Sequence, residues 1–371
     1  MKIRRSLISF LVVFQTILFV AHYFLYQTWI FSSNRGAVFD PAWLRWTVVA
    51  LSVSFLAASL LAFRWTNAVL RALYRAAAVW LGALTFLFLA AVASWLLFGA
   101  GWVVGLSPNF HRIVEVLFAA AFLAASYGVL NANCTRITRT TVRLANLPET
   151  WRGRKAALIS DVHLGHVRNG GFLRRMVAKI LHEEPDLIFI AGDLFDGTAI
   201  DAKSAAEPLS KLTAPYGVYF VAGNHEQFAD DSRYLQAVAA TGVRVLSNEK
   251  VDADGLQIIG VPYRNATRDE HLAAVLKDLG VDRERASILL THAPDRPQVA
   301  EAAGISLQLS GHTHLGQFLP WSWMAKRIYR KFVYGLSRIG DMQIFTSSGA
   351  GTWGPPLRLG SNPEIVLLKF E

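Results

Sequence analysis

The first third of the chain is a series of long apolar runs with short polar links, whereas the rest alternates short apolar runs with amphipathic stretches. Four runs stand out, about 7–30, 46–63, 76–98 and 113–130. Each approaches the ~20 residues a helix needs to cross ~30 Å of hydrocarbon. The pattern predicts an α-helical transmembrane region of about four spans over residues 1–131. The first run follows a basic start, Lys2, Arg4 and Arg5. It is longer than the ~7–15 apolar residues of a secretory signal and closes without an A-x-A-like cleavage site, so it reads as a retained span. A buried helical core is the alternative, and four such segments in series with so little polar chain between them speak against it.

Residues 132–150 read as a linker, and 151–371 as a globular domain. Its strands are expected at 155–160, 187–191, 218–221, 257–261, 287–290, 307–310, 343–347 and 365–369. Helices are expected at 171–184, 201–212, 234–240 and 270–280. Such alternation marks an α/β or α+β domain built on sheets. There is no internal repeat and no low-complexity segment. A polar block begins where each of five apolar strands ends: LIS then DVH, FIA then GDLFD, FVA then GNHE, ILL then THAP, LQLS then GHTH. Loops after strand ends converge at one sheet edge, where open α/β folds place their ligands.

Charge adds a direction. Basic residues flanking membrane spans stay on the cytoplasmic side. Lys2, Arg4 and Arg5 precede the first span, Arg64, Arg71 and Arg75 follow the second, and Arg136, Arg139 and Arg143 follow the fourth. The alternate loops carry Arg35 and Arg45, then Arg112. This bias predicts an integral protein of the cell (inner) membrane with both termini and the globular domain in the cytoplasm. A net charge of +10 suits anionic lipid surfaces and phosphorylated ligands. Nucleic acid is the weaker reading, because no basic stripe interleaved with stacking aromatics occurs outside the membrane flanks and one loop after His314. A single cysteine, Cys134, excludes an intrachain disulfide.

The five polar blocks supply Asp161, His163, Asp193, Asn224, His292, His312 and His314. Imidazoles mixed with carboxylates suit borderline divalent ions such as manganese, iron or zinc, whereas calcium and magnesium sites are mostly oxygen. Seven such groups exceed the usual protein ligands of one ion. Two ions about 3.5–4 Å apart, sharing one carboxylate, would use them all. His22, His111, His166, His182 and His271 stand outside these blocks and read as ordinary surface or satisfied core residues.

D-x-H at Asp161 to His163, G-D-x-x-D at Gly192 to Asp196, G-N-H-E at Gly223 to Glu226, His292, and G-H-x-H at Gly311 to His314 together resemble the calcineurin-like metallophosphoesterases. The resemblance covers roughly residues 150–371. It implies a four-layer αββα sandwich of two mixed sheets, within the α/β (α+β) class. It places Asp161, His163 and His314 on one metal and Asn224, His292 and His312 on the other, with Asp193 bridging. It also sets His225 beside the metals as hydrogen-bond or proton donor, with Asp196 placed to orient it. Phosphoryl transfer needs charge neutralised and nucleophile and leaving group held in line. The expected reaction is direct hydrolysis by a metal-bridging hydroxide, without a phosphoenzyme.

The segment after His314 combines Phe318, Trp321, Trp323 and Met324 with Lys326, Arg327, Arg330 and Lys331, as interfacial amphipathic segments do. Covering the domain's own sheet is the other use such aromatics have. Gln317 and the closing segment with Arg358 resemble members acting on lipid-linked phosphates, among them UDP-2,3-diacylglucosamine hydrolases. The expected partners are a phosphorylated small-molecule or lipid substrate and membrane lipids, with no obligate protein partner. A phosphodiesterase for soluble nucleotides, with the spans only as anchor, is the second reading. A membrane sensor or transporter with a phosphoesterase output is the third, and the spans offer few polar residues to support it.

Overall fold

The computed structural model describes residues 2–33, 42–228 and 232–371, with the backbone alone for 2–6. Arg35, one of the loop charges counted above, lies outside the described residues. The chain divides into two compact units: Met1–Leu130 with Gly354–Leu357, and Asn131–Trp353 with Arg358–Glu371.

The first unit holds four helices long and apolar enough to cross a membrane: α1 (Lys2–Ser32), α2 (Ala42–Ala62), α3 (Ala68–Val103) and α4 (Phe110–Asn131). α3, with 36 residues, is about 54 Å long at ~1.5 Å per residue, well beyond a bilayer's hydrocarbon. Asn67 caps its start by accepting from the Leu70 N–H at 2.8 Å. Several polar side chains inside the helices find partners, which an apolar surrounding favours. His22 Nδ1 donates to the Leu18 carbonyl at 2.7 Å while its Nε2 accepts from Trp80 at 2.8 Å. Trp95 donates to Thr28, and Gln15 to the Ser52 carbonyl.

The second unit carries two six-stranded mixed sheets. In chain order its elements are β1 (Arg136–Val142), β2 (Lys155–Ile159), α5 (Gly170–His182), β3 (Leu187–Ile190), α6 (Ala202–Ala206), β4 (Val218–Phe220), α7 (Ser232–Ala239), β5 (Arg244–Val245), β6 (Glu249–Ala253), β7 (Leu256–Gly260), α8 (Tyr263–Ala266), α9 (Asp269–Asp278), β8 (Ser287–Leu290), α10 (Pro297–Ala302), β9 (Leu307–Ser310), α11 (Trp321–Tyr329), β10 (Gly335–Ile339), β11 (Met342–Thr346) and β12 (Glu364–Phe370). The first sheet runs β1-β12-β2-β3-β4-β5 and the second β10-β11-β9-β8-β7-β6. β2 to β5 are mutually parallel, as are β7, β8, β9 and β11.

The layers follow from the two-residue period of the strands. Ala157 and Ile159 of β2, with Ile188 and Ile190 of β3, face a core shared with Phe172, Met176 and Ile180 of α5. The alternate residues Ala156, Leu158, Leu187 and Phe189 join Ile258, Ile288, Leu290, Leu307 and Leu309 of the other sheet. On its far side Ile259 and Leu289 meet Leu272 and Leu276 of α9 and Ala300 of α10. The result is the expected αββα sandwich. Strands buried on both faces read as continuous apolar runs, which is why they were visible in the sequence.

Two expectations are corrected. Residues 132–150, read as a linker, carry β1, which pairs in parallel with β12 from Arg136↔Glu364 to Val142↔Phe370. Its R-I-T-R-T-T-V pattern is that of an edge strand, polar on its open side. Arg139 accordingly pairs with Glu183 at 2.7 Å. The expected helix at 201–212 is also shorter: α6 gives way to a 3-10 turn that contains Pro208.

Candidate metal centre and active site

The parallel strands β2, β3, β4, β8 and β9 end at the residues just before the five polar blocks. Asp161, Asp193, Asn224, His292 and the His312–His314 pair therefore leave their strands at one edge. Holding so many side chains inward strains the backbone. Asp161, His163, Asp193, His312 and His314 all have φ between 50° and 71°, a region costly for residues with a Cβ and typical of functional sites. Two glycines allow the loops to meet. A Cβ on Gly223 would stand 2.2 Å from Asp193 Oδ1, and one on Gly311 would stand 2.3 Å from Asp161 Oδ2.

The seven ligand candidates form two clusters. Asp161, His163 and His314 make one, and Asp193, His292 and His312 the other. Asn224 joins the second through its Oδ1, 3.0 Å from His292 Nε2. Asp193 Oδ2 lies 3.2 Å from His292 Nε2 and 3.8 Å from His163 Nε2, so it reaches both.

The donor set fits two divalent ions. His163 Nε2 and His314 Nε2 are 3.1 Å apart, and His292 Nε2 and His312 Nδ1 are 3.0 Å apart. Two nitrogens each ~2.0–2.1 Å from one tetrahedral ion would lie about 3.4 Å apart. Each imidazole pair is thus nearly spaced for one shared cation. Burial keeps most of these rings neutral, the state that ligates: it drives His163 and His314 well below the usual histidine range, His314 further because Arg358 is close. Burial, with His292 beside it, takes His312 to about 4. His292 goes the other way. Burial works against its charge, but the Asp193 carboxylate overrides it and holds a proton on the ring. A cation bound there would take that proton's place.

His225 stands next to the clusters, its ring 4.7 Å from that of His163 and its Nε2 3.9 Å from Asp193 Oδ2. Its N–H donates to Asp193 Oδ1 at 2.9 Å. The orienting role expected of Asp196 is corrected in detail. His225 Nδ1 donates to the Asp196 main-chain carbonyl at 2.9 Å. The Asp196 carboxylate instead accepts from the Thr198 N–H and hydroxyl at 2.8 and 2.6 Å. Either way His225 Nε2 is left facing the clusters.

Arg358 and Gln317, expected at a substrate or membrane face, are buried. The Arg358 guanidinium donates to the carbonyls of Ser348, Gly349 and Gly351 at 2.7–3.2 Å and sits 3.3 Å from His314 Nδ1. It braces the loop behind His314. Replacing it, Arg358→Met, is expected to lower stability by about 3 kcal/mol or more, because a charged donor is lost from several buried acceptors at once. Thermal unfolding of the detergent-solubilised chain measures this. Gln317 clamps the main chain of Trp353, donating to its carbonyl at 2.8 Å and accepting from its N–H at 2.9 Å. Trp353 is thereby held with its ring 6.1 Å from that of His225, and it is 60% exposed. Trp321 and Trp323 are exposed, on α11.

Two kinds of residue take a part in the site that the sequence alone does not assign. Glu226 is fully buried and accepts from the N–H groups of Asp193, Gly223 and Phe195 at 2.8–3.0 Å. Burial, and then the neighbouring Asp193 charge, push its carboxyl up, while those donors hold it down. Tyr263 and Tyr329 flank His312, with ring separations of 5.5 and 6.1 Å. The signal for Tyr263 was there: β7 ends at the same edge and G-V-P-Y follows it.

Known proteins share this pattern. The family model described as calcineurin-like phosphoesterase matches residues 154–316. An uncharacterized metallophosphoesterase of Campylobacter jejuni is 30% identical over 270 residues, covering 71% of this chain and 72% of that protein. The chain belongs to the calcineurin-like metallophosphoesterases, metal-dependent phosphoesterase hydrolases. Another metallophosphoesterase, from Aquifex aeolicus, is 31% identical over 69% of this chain and 98% of its own length. A transmembrane protein with metallophosphoesterase domain from Danio rerio is 32% identical over 70% of this chain, which spans 63% of that relative. Among solved structures, a 5'-nucleotidase precursor from Thermus thermophilus aligns with 58% of this chain and 54% of its own at 13% identity and a TM-score of 0.34.

Proposed function

We propose that this metallophosphoesterase is anchored in the inner membrane by α1–α4, with its second unit in the cytoplasm, and hydrolyses a phosphoester or pyrophosphate bond of a lipid-linked or membrane-associated substrate. The observation that carries the hydrolytic reading is the two largely buried donor clusters, Asp193 belonging to one and lying 3.8 Å from His163 of the other, with His225 Nε2 3.9 Å from the same Asp193 carboxylate. The membrane reading is supported by the short reach between α4, which ends at Asn131, and β1, which begins at Arg136. A large apolar side chain, Trp353, also lies open beside His225.

Asp161, His163 and His314 would hold one ion, and Asn224, His292 and His312 the other, with Asp193 between them. Manganese, iron or zinc suits this set. Two such ions, when bound, neutralise phosphoryl charge and lower the pKa of water. The chain's own residues do the rest. The Asp193 carboxylate is aimed by the His225 N–H, and the ring of His225 is fixed by the Asp196 carbonyl. His225 is then set to give a proton from Nε2 to the leaving oxygen as its bond to phosphorus breaks.

His225→Asn tests that role. Turnover of an alkyl phosphodiester is expected to fall by ~10²–10⁴-fold, the usual contribution of a general acid, while a p-nitrophenyl ester, which leaves without a proton, loses far less. Equal losses on both would show that His225 does not protonate the leaving group. A soluble-nucleotide substrate remains the competing reading, and relative turnover of cyclic nucleotides and micellar diacylated sugar nucleotides separates the two. The sensor or transporter reading finds little support, since His22 is satisfied on both ring nitrogens.

A further inference from the structure

α11 begins seven residues after the ligand His314 and is tied to the site at both ends. Near its start, Ser322 lies so close to Gly316 that a Cβ there would stand 2.4 Å from the Ser322 backbone. At its end the ring of Tyr329 is 6.1 Å from that of His312. The helical period divides its nine residues into faces. Ser322, Ala325 and Tyr329, at i, i+3 and i+7, form the less exposed face. Trp321, Met324 and Ile328 have the same spacing on another face, and they are 48%, 47% and 64% exposed. Trp323 is 70% exposed and Leu319, just before the helix, 54%.

A second apolar stripe on a nine-residue helix is unnecessary for packing a soluble domain, and open apolar patches mark interaction surfaces. Its charges choose the partner. Lys326, Arg327, Arg330 and Lys331 lie on or next to the helix, and no Asp or Glu occurs between Glu301 and Asp341. Aromatic and aliphatic side chains beside a one-signed basic cluster complement an anionic bilayer surface, into which the apolar side chains enter while the cations meet phosphate.

We propose that α11 is a membrane-docking helix that seats its Trp321–Met324–Ile328 stripe in the headgroup boundary of an anionic bilayer and so holds one wall of the metal site at the lipid surface. The proposal rests on α1–α4 crossing a membrane. It is independent of which phosphate ester is cleaved.

The test uses the full chain in lipid nanodiscs, in a Cys134→Ser background, with an environment-sensitive fluorophore on Met324→Cys or, as a reference, on the exposed Lys211→Cys. Lipids carrying a nitroxide near the headgroup quench a label that enters the boundary. Quenching is expected at 324 and not at 211, and greater with phosphatidylglycerol than with phosphatidylcholine. Arg327→Gln is expected to reduce the docked-to-undocked ratio about fivefold, the effect of one basic side chain at an anionic surface. Quenching at 324 no greater than at 211 overturns the proposal. So does energy transfer between 324 labels on two chains without lipid quenching, which would show that a second copy covers the stripe. Metal-dependent turnover of a soluble chromogenic ester by the same variants is read in parallel, so that loss of docking and failure of the hydrolase reading are told apart.

Discussion

Asp193→Asn is expected to abolish metal-dependent turnover and to lower the metal content of the purified chain. Among the described residues, the Asp193 carboxylate lies near both clusters, 3.2 Å from His292 and 3.8 Å from His163. Its charge is so well matched to His292 that, although burial opposes ionisation, its carboxyl lies far below the usual range. Asparagine keeps the shape and removes the charge, turning an amide either to the imidazoles or to the His225 N–H. The loss should exceed the ~10–100-fold that follows removal of a group that merely orients a ligand. Metal content by elemental analysis and turnover of a chromogenic diester measure it. The backbone there, at φ 50°, suits asparagine among the few residues that tolerate it, so folding is preserved and a thermal midpoint within a few degrees of wild type confirms that.

Glu226→Gln is expected to weaken metal binding by ~10–100-fold, the effect of losing a group that orients ligands. Its two oxygens gather three N–H groups from the Asp193 loop and the Gly223 turn. Those loops carry Asp193, Asn224 and His225. Glutamine retains one oxygen and sets an amide against at least one donor, a buried mismatch of about 1–3 kcal/mol. Metal titration followed by calorimetry reads the affinity. An unchanged affinity with a lowered thermal midpoint would make Glu226 a core residue with no hold on the site.

The ligands were legible because each follows an apolar strand, and a sheet buried on both faces leaves that pattern plainly in the sequence. β1 was not, because its open edge is filled with Arg and Thr and its burial comes from β12, more than 200 residues away in the chain. Glu226 was hidden for a related reason. Glu226 closes the G-N-H-E motif, but its part in gathering three N–H groups comes only with the fold. Asp196 was recognised as the neighbour of His225, but which of its oxygens does the orienting depends on the turn to Thr198, a local geometry without a sequence signature. Arg358, expected at a substrate or membrane face, is a buried brace, because the carbonyls it serves come from the loop at Ser348 to Gly351. α11 could be read as amphipathic from its residues, while the division of its apolar positions into a packed and an open stripe needed the structure.

The most direct test of the dimetal hydrolase is to chelate the purified chain, titrate manganese or zinc back, and follow bound metal and diester hydrolysis together. Turnover that returns only as the second equivalent per chain binds is the predicted result. Hydrolysis that survives chelation, or that saturates at a single bound ion, would contradict a site built from two clusters joined through Asp193.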